Sequence, residues 1–188
     1  MTVARTPIIG IAGWKKSGKT TLCVRLIEEL TLRGYRLATV KHAHHEFQVD
    51  DAETDSARHR RAGAGQTAVV GGKRWALITE LKGAPEPTFE EVVASLGPAD
   101  LILVEGYKNA PIPKIEARRT VQVSKRHLSE TDPLVIAIAA DHAVENANGL
   151  PVFSLDDIRE IANFIEARIG PLKASGAATA RDAHEPGR

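Results

Sequence analysis

The residues Gly13-Trp14-Lys15-Lys16-Ser17-Gly18-Lys19-Thr20 fit the spacing G-x-x-x-x-G-K-[ST]. These residue types suit one task, which is holding a polyphosphate. Gly13 and Gly18 carry no Cβ to keep phosphate oxygens away from backbone N–H groups. The same N–H groups open a helix, so the anion also meets the positive end of a helix dipole. Lys19 supplies a mobile cation for the β- and γ-phosphates, and the Thr20 hydroxyl a ligand for Mg²⁺. The expected nucleotide-binding set is therefore Gly13, Lys15, Lys16, Ser17, Gly18, Lys19, Thr20 and Thr21, with Lys19 in a catalytic role.

Other candidates sort by the rule that ligands of open α/β sheets gather at the carboxyl ends of the strands. Glu105 follows Leu101-Ile102-Leu103-Val104 directly, where an acid holds Mg²⁺ itself or through water. It is expected to share the metal with Thr20 and to serve catalysis. Asp141 closes the apolar run Leu134 to Ala140. A carboxylate there accepts from the N1–H and amino group of guanine, donors that adenine lacks; the alternative is a helix N-cap. Ala139 stands where an Asn-Lys-x-Asp loop has a lysine whose stem covers the base. His42, His44 and His45 read as a metal cluster, a phosphate clamp or polar residues at a strand end. Extended backbone puts His42 and His44 on one face and His45 on the other. Lys41, His42, His44, His45, Asp55, Arg58 and Lys108 are the candidates for a second ligand or a phosphate.

The elements that must position these groups are legible in outline. Pro7 to Ala12 reads as a strand feeding the glycine loop. Leu22, Leu26 and Leu30 form an i, i+4, i+8 stripe on the helix that follows, and Gly34 is its stop signal. Tyr35 to Val40 is the next strand, and Asp55 to Ala62 a short helix. Ala68 to Val70 and Arg74 to Thr79 flank Gly71-Gly72-Lys73 as a hairpin. Thr88-Phe89-Glu90-Glu91 is a capping box opening a helix through Leu96. Further strands are Asp100 to Val104, Lys114 to Arg118, Leu134 to Ala139 and Val152-Phe153, and Ser154 is expected to cap a last helix to Ile169. Strands alternating with helices give an α/β fold of the P-loop NTPase kind, a mostly parallel sheet flanked by helices on both faces, with a β-hairpin insertion.

A chain of 188 residues can bury a real core. We expect one nucleotide-binding domain over residues 1–172 and a disordered tail over 173–188, where Ala, Gly, Ser and charge mix without periodicity. A net charge of +1 argues against a broad nucleic-acid-binding face. No run approaches the length of a membrane span or a signal segment, so a cytoplasmic protein is expected. Cys23, the one cysteine, falls on the apolar stripe and reads as a small buried hydrophobe.

Several stretches together resemble a known family. They are Gly13-x4-Gly18-Lys19-Thr20-Thr21-Leu22, Lys41-His42-x-His44-His45, Asp55-Ser56-x-Arg58 and Ala62-Gly63-Ala64. Glu105-Gly106-Tyr107-Lys108, Lys114-Ile115-Glu116 and Ile136-Ala137-Ile138-Ala139-x-Asp141 follow in order. Over roughly residues 6 to 169 the chain resembles the molybdopterin-guanine dinucleotide biosynthesis adapter proteins of the B type. The resemblance implies a GTP-binding protein, usually a homodimer, with low GTPase activity. It implies Mg²⁺ as cofactor, the guanylyltransferase that attaches GMP to molybdopterin as partner, and molybdopterin as a possible ligand. Carried over, Lys19 and Thr20 hold phosphate and metal, Glu105 serves the metal and Asp141 reads guanine. Trp14 departs from related dimeric P-loop proteins, which place an extra signature lysine in that slot. The rival readings are a metal-insertion GTPase loading at the histidines and a small-molecule kinase on the same loop.

Overall fold

The computed structural model describes residues 6–43, 53–122, 124 and 126–170. In chain order the elements are β1 (Ile8–Ala12), α1 (Lys19–Leu32), β2 (Leu37–Lys41), α2 (Asp55–Arg61), β3 (Gln66–Val70), β4 (Trp75–Thr79) and α3 (Phe89–Ala94). They continue as β5 (Leu101–Glu105), β6 (Lys114–Arg118), a 3-10 turn (Leu128–Glu130), β7 (Val135–Ala140), β8 (Val152–Ser154) and α4 (Ile158–Ile169). A six-stranded sheet has the order β2-β5-β1-β6-β7-β8. β1 runs parallel to β5 and β6, β6 to β7, and β7 to β8. With flanking helices this is the α/β architecture expected from the alternation of strand and helix signals. Among the described residues, no helix is long and apolar enough to cross a membrane.

The chain divides into two compact units, one built from the stretches up to Val40 and from Gly97 onward, the other from Lys41–Leu96. In the first, period-two alternation sorts each central strand between two faces. Ile9, Ile11, Leu101, Leu103, Ile115, Ala117, Ala137 and Ala139 join the core that takes Leu22, Leu26 and Leu30 of α1 and Ile161 and Ile165 of α4. Cys23 is buried in that core as expected. Asp100 accepts from the Arg36 backbone N–H (2.9 Å) and from Nε and Nη2 of its side chain (3.1 and 3.0 Å). That clamp holds the carboxyl below the usual aspartate range and joins the segments leading into β2 and β5.

The other parity of β6 is charged, and it is buried too. Lys114, Glu116 and Arg118 are each at most 2% exposed. A charge out of water must be paired and hydrogen-bonded. Glu116 accepts from the Leu128 and Ser129 backbone N–H groups (2.7 and 3.1 Å) and from Arg118 Nη2 (2.9 Å). Arg118 also donates to Ser129 Oγ (2.6 Å), and Lys114 Nζ to Asp132 Oδ2 (2.8 Å). Burial pushes the Asp132 carboxyl up, but the bonds from Lys114 and the Leu134 N–H outweigh it and hold it below its ordinary value. These bonds fasten the 3-10 turn, an element the sequence reading did not contain, to β6. Leu128 then packs with Ala12, Val135, Trp14 and Leu150.

The second unit carries α2, the antiparallel β3–β4 hairpin and α3. The capping box forms as expected: Thr88 Oγ1 accepts from the Glu91 N–H, and Glu91 reaches back to the Thr88 N–H (2.8 Å). Arg60 ties α2 to Glu80 at the end of β4 (2.9 Å). Two expectations shift. The cap of α4 is Asp157, not Ser154, because Ser154 still belongs to β8 and its hydroxyl accepts from the Asp156 N–H. Strand β2 begins at Leu37, since Tyr35 is buried in the core, its N–H donating to Leu30 at the end of α1.

Glu116→Ala should destabilise the protein by about 3 kcal/mol or more, because it leaves Arg118 buried without its carboxylate. Urea denaturation measures this; a loss below about 1 kcal/mol, the size of a surface pair, would show that the anchor contributes little.

Candidate functional site

The loop after β1 turns because two of its residues have no Cβ. Gly13 sits at φ 150°, and a Cβ there would collide with Ser17 Oγ and the Ala117 carbonyl. Gly18 sits at φ 91° and ends the loop as the N-cap of α1. No side chain caps that helix, and its own first turn holds no acid, so its opening N–H groups are left without a capping side chain. Trp14 organises the loop. Its carbonyl accepts from the Ser17 N–H (3.1 Å) and from Lys19 Nζ (2.8 Å). Its ring carries the Lys108 ammonium 4.0 Å from the centroid, a cation–π contact. Lys108 reaches it because the chain leaves β5 through left-handed backbone at Gly106 and Tyr107, the latter at φ 44°.

The parallel register places Glu105 beside Ile11, at the same sheet edge as the loop. Thr20 Oγ1 donates to Glu105 Oε1 at 2.5 Å, so the hydroxyl and the carboxylate expected to share a metal are in contact. Lys15, Lys16 and Thr21 are exposed, Lys19 is half-buried and Ser17 is fully buried.

Asp141 lies at the same edge, past the end of β7. No helix follows it, so the N-cap alternative falls away. Its Oδ1 accepts from the Thr120 N–H (2.9 Å), the Thr120 hydroxyl (3.0 Å) and His142 Nδ1 (2.8 Å). The His142 contact chiefly holds the carboxyl below the usual range; burial works the other way, and Thr120 adds to the lowering. Asp141 N–H donates to the Arg118 carbonyl (3.3 Å). The strand ends of β5, β1, β6 and β7 thus supply, side by side, an acid, a loop, a threonine and a second acid.

Thr120, His142 and Arg119, which lies against Gly18, were absent from the sequence candidates. The strand-end rule applied to Lys114–Arg118 points to Arg119 and Thr120; nothing local marks His142. The second-ligand candidates divide between the units. In the second, His42 faces Glu86 (3.6 Å), and Asp55 pairs with Arg58 on one exposed turn of α2 (3.4 Å). Lys41 is exposed at the end of β2. His44 and His45 lie outside the described residues. Lys108 belongs to the first unit.

Known proteins share this sequence and this fold. Residues 8–141 match the family model described as molybdopterin guanine dinucleotide synthesis protein B. The chain is 40% identical over 163 residues to a molybdopterin-guanine dinucleotide biosynthesis adapter protein of Haemophilus influenzae, covering 85% of this chain and 88% of the relative. It is 36% identical to a protein of that name in Escherichia coli, covering 85% and 91%. The crystal structure of a MobB protein homolog from Bacillus stearothermophilus superposes with a TM-score of 0.65 at 28% identity, over 86% of this chain and 97% of that one.

The His142 contact makes a prediction about charge. A depressed folded-state pKa means that Asp141 adds stability above the ordinary aspartate value, about 3.9, and loses it as pH falls through the folded value. His142→Ala should move the Asp141 midpoint up towards the ordinary value in a carboxyl-carbon NMR titration. An unchanged midpoint would assign the lowering to Thr120 alone.

Proposed function

The chain belongs to the molybdopterin guanine dinucleotide synthesis protein B family, and on that basis we propose that it is a GTP-binding adapter in the making of that dinucleotide. It works beside the guanylyltransferase that joins GMP to molybdopterin, and its own hydrolysis of GTP is weak. The observation that carries the nucleotide reading is the Thr20–Glu105 contact at the uncapped start of α1. One neutral and one anionic oxygen meet beside a lysine, a donor set suited to Mg²⁺. The ion would neutralise charge on the β- and γ-phosphates. Lys19 serves the same phosphates, and the Asp141 carboxylate, held ionised by His142 and Thr120, accepts from the guanine N1–H and amine.

A homodimer is part of the proposal. In the hairpin, Val70 pairs with Trp75 and Ala68 with Leu77, which puts all four on one face. Val70, Trp75 and Leu77 are 79%, 70% and 53% exposed. A two-stranded hairpin is marginal alone, and a contiguous apolar face marks an interaction surface. We assign it to a second copy of this chain. Replacing Val70 and Leu77 together by Lys should give a monomer in light scattering; a wild-type chain that is already monomeric would refute the assignment.

Calorimetric titration tests the nucleotide site. Lys19→Ala should weaken GTP at least about tenfold, the cost of a lost charged hydrogen bond, and leave the fold intact. Asp141→Asn replaces an acceptor oxygen with a donor amide, so it should lose GTP and gain XTP, whose base carries a carbonyl in place of the amine. Unchanged GTP affinity in the first variant, or GTP still preferred to XTP in the second, would remove that residue from the site. Stimulation of the guanylyltransferase by wild-type chain, and its loss with Lys19→Ala, tests the adapter role.

A further inference from the structure

Arg119 stands at this strand edge, one residue past the end of β6. It continues the parity of Ile115 and Ala117, which face α1 and α4, and so projects from β6 on the side of the α1 start. Its side chain lies across Gly18. A Cβ at Gly18 would come within 2.7 Å of Arg119 Nε, 3.2 Å of Cζ and 3.3 Å of Cδ. Its two chain neighbours both hold Asp141, through the Arg118 carbonyl and through the Thr120 N–H and hydroxyl. Arg119 therefore spans the interval between the phosphate loop and the residue that reads the base. Among the described residues its half-exposed guanidinium has no hydrogen-bond or ion-pair partner. Across the edge, Ala139 is fully buried in the core and offers no stem that would cover a base.

We propose that the Arg119 guanidinium lies against one face of the nucleotide base, as the cover that the Ala139 position does not provide. The inference rests on the GTP reading of this site. A guanidinium is planar, permanently charged and weakly hydrated, and it stacks on aromatic faces as an ammonium does not. Gly18 contributes by leaving room for the arginine stem to cross the loop. Stacking carries no information about base identity, so Arg119 supplies affinity and Asp141 the choice of base.

The test is calorimetric titration of the full chain and of Arg119→Ala and Arg119→Lys with GTP, ATP and inorganic tripolyphosphate. Both variants should weaken GTP about tenfold, the order of a base–side-chain stack. ATP should weaken by a similar factor and tripolyphosphate should not change. Equal losses for GTP and tripolyphosphate would make Arg119 a phosphate ligand and overturn the proposal. Full GTP affinity in Arg119→Lys would do the same, because it would show that charge suffices without the plane. So would unchanged GTP affinity in a folded Arg119→Ala, checked by its urea midpoint. Wild-type chain that fails to bind GTP would overturn the GTP reading itself and this inference with it, an outcome separable from failure of the variants alone.

Discussion

The parallel register of β1 between β5 and β6 is the constraint on which the site depends. It sets Ile11 opposite Glu105 on one side and opposite Ile115 on the other, so the strands finish together. A one-residue slip in either pairing would turn every side chain to the opposite face. Glu105 would then lose Thr20, and the charged residues of β6 would be driven into the apolar core. The apolar parity of the strands is thus also what aims the chemistry, since burying Ile9, Ile11, Leu101 and Leu103 under α1 and α4 fixes where each strand's last residue points.

The two sides of this sheet are held by different physics. Towards α1 and α4 the contacts are apolar and tolerant of small shifts. Under β6 they are ionic and directional: Glu116 has three donors on its two oxygens, and Lys114 and Arg118 are pinned by Asp132 and Ser129. Such pairs add little net stability over a packed apolar alternative but are costly to break singly. Their effect here is positional. Arg118 is held by its side chain below the sheet while its carbonyl accepts the Asp141 N–H, so the ionic cluster fixes the strand end on which Asp141 leans.

What the sequence showed and what it hid follow from the range of the interactions. The glycine loop after β1, the α1 stripe, the Thr88 capping box and the acid that ends β5 are written in residues within a few positions of one another, and each lies where expected. Lys114-Ile115-Glu116-Ala117-Arg118 reads locally as a strand with one wet face. Only partners 11 to 18 residues further along the chain make that face dry. The shift of the α4 cap from Ser154 to Asp157 has the same origin, because pairing with β7 keeps Ser154 in the sheet. The strand-end rule reaches Thr120, but that it supports Asp141 is not written locally, since the two come from neighbouring strand ends.

Trp14 has a consequence of another kind. The sequence holds two tryptophans. Trp75 is 70% exposed on the hairpin, whereas Trp14 is half-buried in the loop after β1 with a cation over its ring and Lys19 on its carbonyl. Indole emission responds to solvent and to nearby charge, so the two rings emit from different surroundings. Any occupant of the loop that draws Lys19 or Lys108 away changes the field at Trp14 and leaves Trp75 as an internal reference. The protein therefore carries its own optical reporter of the loop after β1.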